Sequence, residues 1–269
     1  MTSDAATDEN VLLVEVAERV ATVTLNRPRS RNALNRALSK ALYQAFQDLE
    51  QDADVDVVIV TGSDPAFCAG LDLKELGSSA GVTEERFTAA RPERPPAESG
   101  PMPPMSKPVI GAVNGPAITG GFEVALRCDL LVASEHATFA DTHSRVGIMP
   151  DWGLTVLLPQ AIGVRRAREM SLTGNFLDAS TALAWGLVNH VVPHGELLPF
   201  ARKLAGDMVS NDQDAARRIL RTYAEAAFTA DAEAWELEGD VARDWRANIS
   251  AEKIEERRGL VTNRGRAQL

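Results

Sequence analysis

Two glycine-containing segments carry the residues best suited to chemistry. They are Phe67-Cys68-Ala69-Gly70-Leu71-Asp72 and Asn114-Gly115-Pro116-Ala117-Ile118-Thr119-Gly120-Gly121-Phe122-Glu123. Each follows an apolar, strand-like run and leads into a helix-like one. The first amides of a helix have no intrahelical acceptor and point outward, so two such ends aimed at one point can hold a carbonyl oxygen that is becoming negative. The pair therefore reads as an oxyanion hole. The stretch Gly115 to Gly121 also has glycines at the spacing of a phosphate loop. The Lys-Ser or Lys-Thr pair that such a loop needs after Gly120 is missing, which excludes nucleotide hydrolysis.

Other reactive side chains form no constellation. The four histidines, His136, His143, His190 and His194, make no His/Cys/carboxylate pattern of metal-site spacing, so no metal is expected. Cys68 and Cys128 sit in apolar runs and read as buried, reduced thiols. Ser144, His143 and Asp151 suggest a triad only on paper: adjacent residues rarely face each other, and no G-x-S-x-G elbow presents a serine. Hydrolysis by an activated water stays open.

The formal charge of −10 argues against nucleic acid, whose phosphates need a basic face. Two local clusters run the other way: Arg27, Arg29, Arg31 and Arg36, and near the C-terminus Arg257, Arg258, Arg264 and Arg266. A chain of 269 residues suits one large α/β domain, or a core with a helical appendix. Residues 1–10 are polar and acidic without a secretory pattern, and no apolar run approaches transmembrane length. A soluble, cytoplasmic protein with no membrane partner is expected.

The elements that must position the two turns can be read from periodicity. Val11 to Val16 and Val20 to Leu25 alternate as two antiparallel strands, and Asn35 to Ala53 is helical with Leu38, Leu42, Phe46 and Leu49 on one face. Short apolar runs follow at 55–60, 108–113, 129–133 and 187–192, which predicts strand–helix turns around sheets buried by helices. Residues 77–106 break the pattern with clustered prolines. They read as a surface loop or as the adaptable wall of an acyl pocket, to which Met102 and Met105 would contribute. After Pro193 the pattern is helical to about Arg266, with apolar stripes such as Leu197, Phe200, Leu204 and Met208, then Ile219, Leu220, Tyr223 and Phe228, then Trp235, Leu237, Val241 and Trp245.

The strings Ala66-Phe67-Cys68-Ala69-Gly70-Leu71-Asp72-Leu73 and Lys107-Pro108-Val109-Ile110-Gly111-Ala112-Val113-Asn114-Gly115, with Gly120-Gly121 and Cys128-Asp129, resemble the crotonase or enoyl-CoA hydratase superfamily. So do Leu25-Asn26-Arg27-Pro28, Arg31-Asn32-Ala33-Leu34-Asn35, and Thr173-Gly174 with Ala182 and Trp185-Gly186-Leu187-Val188. The likeness covers roughly residues 11 to 195. It implies an α/β crotonase (ClpP-like) fold: a spiral of ββα turns over 1–195 and a helical C-terminal trimerisation region over 196–269. It also implies an acyl-CoA thioester as substrate, no further cofactor, and a homotrimer or homohexamer.

By the same resemblance, the oxyanion donors are the amides of Leu71 and Gly120, and Glu123 is the general base. Hydratases of the family carry a second glutamate where this chain has His143, so the usual proton donor is replaced by a group that titrates near pH 6.5 when unperturbed. Asp151 stands where many hydratases have glycine and other branches place a functional aspartate. It reads as a base, a nucleophile, an orienter of His143, or a turn residue after Pro150. Asp141 is near in sequence but falls out of register. Arg27, Arg31, Ala33, Ala69, Asp72 and Leu73 match the coenzyme A segments, the arginines reading equally as solvated charge. At the C-terminus Leu260, Asn263 and Arg264 replace the usual aromatic and Lys-Arg pair, weakening a phosphate contact expected in a neighbouring subunit's site. The leading expectation is hydration of a 2-enoyl-CoA in fatty acid metabolism, a lyase reaction. Double-bond isomerisation, hydrolysis of a thioester or β-diketone through His143 and Asp151, and acyl-CoA binding without turnover are the alternatives.

Overall fold

The computed structural model describes residues 10–77, 100–246 and 251–266. Most of the proline-rich segment therefore lies outside the described residues, as do the side chains of Phe228, Leu237, Trp245, Leu260 and Arg264. In chain order the elements are β1 (Leu12–Ala17), β2 (Val20–Leu25), α1 (Arg36–Gln51), β3 (Val57–Gly62), α2 (Leu73–Leu76), β4 (Val109–Val113), β5 (Ala117–Ile118) and α3 (Gly120–Leu126). They continue with β6 (Leu130–Ser134), β7 (Thr138–Ala140), α4 (His143–Val146), α5 (Leu154–Ile162), α6 (Val164–Thr173), β8 (Leu177–Asp178), α7 (Ala179–Trp185) and β9 (His190–Val192). The last helices are α8 (Leu197–Val209), α9 (Gln213–Arg246) and α10 (Ala251–Arg266).

The main sheet has the order β1-β2-β3-β4-β6-β9 among the described residues. β1 and β2 form the expected antiparallel hairpin, and every later pairing in this sheet is parallel. The hairpin turn puts Glu18 and Arg19 at positive φ, the geometry that matches strand twist in a two-residue turn. Neither is glycine; the Arg19 guanidinium pairs with buried Asp56 and holds the turn in place.

The central strands are apolar on both faces because helices cover both. Val58 and Val60 join the cluster that contains Leu38, Leu42 and Phe46 of α1, whereas Val57 and Ile59, pointing the other way, pack with Leu197, Ala201 and Ala205 of α8. α8 thus closes the back of the sheet, although its position in the chain groups it with the C-terminal helices. α1 starts at Asn35, whose side chain accepts the Leu38 amide at 2.9 Å. A second sheet, β5-β7-β8, carries the turn into α3. No described helix is long and apolar enough to cross a membrane.

Candidate active site

The two glycine turns meet. Isolated parallel bridges join Leu34 to Leu71 and Cys68 to Ala117, with the Cys68 amide on Pro116 O at 3.0 Å and the Ile118 amide on Cys68 O at 2.9 Å. A Cβ on Gly121 would lie 2.1 Å from the Cys68 carbonyl oxygen, so only glycine lets these backbones approach. One on Gly70 would lie 3.4 Å from the Gly120 nitrogen, which puts the turns side by side.

Their amides are free to face a ligand for a geometric reason. Leu34 donates to Gly70 O at 2.7 Å and accepts from the Asp72 amide at 3.1 Å, so the intervening Leu71 peptide points away from that bridge, along a side of the cleft it lines. Gly120 is the first residue of α3, where amides lack helical acceptors. Before it, Thr119 adopts φ 53°, ψ −113°, a conformation L-residues rarely take. It is held there by its amide on Ala140 O at 2.8 Å and by a buried hydroxyl pair with Thr142. Strain of this kind persists where surrounding bonds over-determine it.

Asn32 explains how the cation-rich loop reaches the same place. It sits in the left-handed region, where asparagine is tolerated, and its amide group donates to Ser63 O at 2.7 Å and Ala66 O at 2.6 Å. This lays residues 31–34 along residues 69–72.

Behind the turns lies a line of three buried ionisable groups. Glu123, one turn into α3, is 2 % exposed; its Oε1 accepts the Trp152 amide at 3.0 Å, and its Oε2 is 3.5 Å from Nε2 of His143. His143 Nδ1 is 2.7 Å from Asp141 Oδ1, which also accepts the His143 amide at 3.1 Å. Burial works against charge on His143, but the hydrogen bonds and negative charges of Asp141 and Glu123 outweigh it and push the imidazole up to about 10. Burial likewise opposes charge on Asp141, and the bonds from His143 and the Ser171 hydroxyl hold that carboxyl below its ordinary value.

Both imidazole nitrogens are thereby taken, and of the roles weighed for Asp151, orienting His143 falls to Asp141, whose carboxylate meets Nδ1. The register argument set Asp141 aside because it counted residues along the chain. The turn between β7 and α4 folds Asp141 back onto the ring two residues later, as an Asp at position i readily does. Asp151 is half-buried and directly precedes the amide that holds Glu123. The Ser144 hydroxyl points elsewhere, donating to Ser171 O at 2.8 Å. Cys68 is buried, and burial pushes its thiol up to about 12.

A cleft of about 400 Å³ leads to the turns. Arg31, Ala33, Ala69, Leu71, Asp72 and Leu73 line it. Arg27 lies behind that wall: it pairs with Asp72 at 3.1 Å and holds the Ala33 carbonyl, fixing the two segments to each other. Further cations come from Arg29, Lys74, Arg258 and Arg266. α10 packs on α2 and α4 of its own chain, so Arg258 and Arg266 line their own cleft. Only the arginine clustering signalled them, since nothing in residues 251–266 specifies which cleft they reach.

The profile of the enoyl-CoA hydratase/isomerase family matches residues 15–260, and the chain belongs to that family. It is 40 % identical over 263 residues to a probable peroxisomal enoyl-CoA hydratase 1 of Arabidopsis thaliana, covering 97 % of each chain. Among solved structures it is similar to the enoyl-CoA hydratase of Mycobacterium tuberculosis H37Rv, at 50 % identity and TM-score 0.80, over 88 % of this chain and 100 % of that one. The Mycobacterium smegmatis enoyl-CoA hydratase structure compares at 50 % identity and TM-score 0.78, over 89 % and 99 %. The fold is therefore the crotonase fold that the sequence motifs imply.

Proposed function

We infer that the protein adds water across the double bond of a 2-enoyl-CoA thioester. The observation that carries this reading is the buried line Asp141–His143–Glu123, with Glu123 on the helix that begins at Gly120, beside the Leu71 turn that lines the cleft. The thioester carbonyl sits between the Leu71 and Gly120 amides, which stabilise the enolate oxygen as charge builds there. One such donor is worth on the order of 3 kcal/mol in the transition state. Glu123 takes a proton from water as its oxygen bonds the β-carbon. His143, charged and held by Asp141, gives its Nε2 proton to the α-carbon, replacing the second glutamate of related hydratases. Atoms balance: one proton moves to Glu123, hydroxide to the β-carbon, and one proton leaves His143. The 3.5 Å gap between Oε2 and Nε2 then returns the proton from Glu123 to His143 and resets the site.

In this reading Arg31, Ala33, Ala69, Asp72 and Leu73 contact coenzyme A, with Arg258 and Arg266 meeting its phosphates, and Arg27 braces the wall. Acyl-CoA is the substrate and no cofactor takes part. Cytoplasmic location remains part of the reading; a fluorescent fusion found only in an organelle would reject it. A homotrimer or homohexamer is supported by Ile219 and Tyr223, 56 % and 73 % exposed on α9, and sedimentation at monomer mass would reject it.

The test is mass-resolved product analysis with crotonyl-CoA and a longer 2-enoyl-CoA in isotopically heavy water. Gain of one heavy water with the thioester intact supports hydration. An unchanged chain length with a moved double bond, or released coenzyme A, would replace this reading by isomerisation or hydrolysis.

A further inference from the structure

We propose that Trp152 determines which acyl chains the site accepts: its indole is a fixed wall beside the thioester-binding turn that admits short enoyl groups and excludes long ones. This rests on the reading of the cleft as an acyl-CoA site.

The indole and its own backbone border both ends of the reacting unit. A Cβ on Gly120 would lie 2.9 Å from Cζ3 and 3.5 Å from Cη2 of Trp152, so the six-membered ring lies against the Cα of an oxyanion residue. The Trp152 amide meanwhile holds Glu123 Oε1 at 3.0 Å. The α- and β-carbons of a bound enoyl group fit between that carboxylate and the Gly120 amide, which brings the following methylenes to the indole. Glu123 and His143 are only 2 % and 4 % exposed, so the reacting end of the substrate meets a buried part of the fold.

The wall is fixed rather than swinging. Arg127 Nε donates to the Trp152 carbonyl at 3.1 Å, and the same guanidinium lies 5.6 Å from the centroid of the Trp235 ring on α9. Glu238, one turn further along α9, accepts the Gly153 amide at 2.6 Å and the Thr155 amide at 2.7 Å, capping α5. Trp235 fills the space where a Gly153 Cβ would stand, 2.1 Å from its Cη2. On the far side, Gly100 leaves room for the other edge of the indole, with a Cβ there 3.1 Å from Cγ of Trp152. The 151–153 turn thus has both peptides clamped, and its side chain has little room to yield. A hydrophobic pocket that misfits by a methylene discriminates about tenfold or more, so several methylenes are enough to set a length limit.

The experiment is calorimetric binding of butyryl-CoA and decanoyl-CoA, which cannot be hydrated, to the full chain and to Trp152→Phe and Trp152→Ala, each checked by thermal melt. The wild type should bind butyryl-CoA about tenfold or more tighter than decanoyl-CoA, Trp152→Phe should keep that order, and Trp152→Ala should bring the ratio to one or reverse it. A general loosening of the fold lowers both affinities together. An unchanged ratio in Trp152→Ala overturns the proposal, as does a wild type that binds both esters equally. A wild type that binds neither ester overturns the acyl-CoA reading beneath it, a different result from either.

Discussion

Replacing Asp141 by Asn keeps the side chain's shape but removes the charge that faces Nδ1 of His143 at 2.7 Å. Two unit charges about 4 Å apart at an effective dielectric of about 20 attract by about 4 kcal/mol, or about 3 pKa units. If the amide oxygen still accepts the Nδ1–H bond, the loss is that between a charge-assisted and a neutral hydrogen bond, about 1 kcal/mol or just under one unit. His143, at about 10 in the native protein, should therefore fall by about one to three units in the variant. The sign follows from linkage: a raised imidazole favours the charged form in the fold, so its contribution is full below the ordinary value of 6.5 and is lost as pH rises through about 10. The assay is the rate of crotonyl-CoA hydration at saturating substrate, followed by loss of enoyl absorbance across pH. The native alkaline limb should fall near 10 and the Asp141→Asn limb about one to three units lower, while the two rates at pH 6 stay within a few-fold of each other. Melting temperature should decline with pH in the same order. An alkaline limb at the same pH in both proteins, with the variant folded, would refute the assignment of Asp141 as the residue that keeps His143 charged.

Other perturbations test the scaffold. Gly121→Ala drives a Cβ to 2.1 Å from the Cys68 carbonyl, a backbone atom already bonded to the Ile118 amide, so denaturant titration should show a loss of about 1–3 kcal/mol or more. Glu238→Ala leaves the Gly153 and Thr155 amides without their acceptor, costing about 1–3 kcal/mol by the same measurement, and lowers kcat more than it raises KM because the turn that holds Glu123 is released. Equal stability in Glu238→Ala and native protein would show that the cap from α9 is dispensable.

Much of this protein was legible before any folding because the decisive signals are local. A helix N-terminus after a glycine turn carries its free amides wherever it lies, and period-two and period-3.6 patterns placed β1, β2, β3, β4 and α1 to within a few residues. The two turns and Glu123 were read this way, and the family resemblance supplied their roles and singled out His143. Long-range juxtaposition was not legible in the same sense. Asp141 became the partner of His143 only through the backbone turn that precedes α4. Glu238 and Trp235 reach the 151–153 turn across about 85 residues of chain, and no spacing rule connects them. Arg27 and Arg31 are alike in sequence, yet one braces the wall and the other lines the cleft, because the Asn32 side chain accepts the Arg27 amide and folds the loop that carries both. α10 carried its arginines as an unassigned cluster until packing on α2 and α4 gave them a cleft. Local hydrogen bonding and hydrophobic periodicity are properties of short windows, so the chain alone determined the elements and the turns. Which buried charges face each other depends on where those elements come to rest, and that the tertiary structure decided.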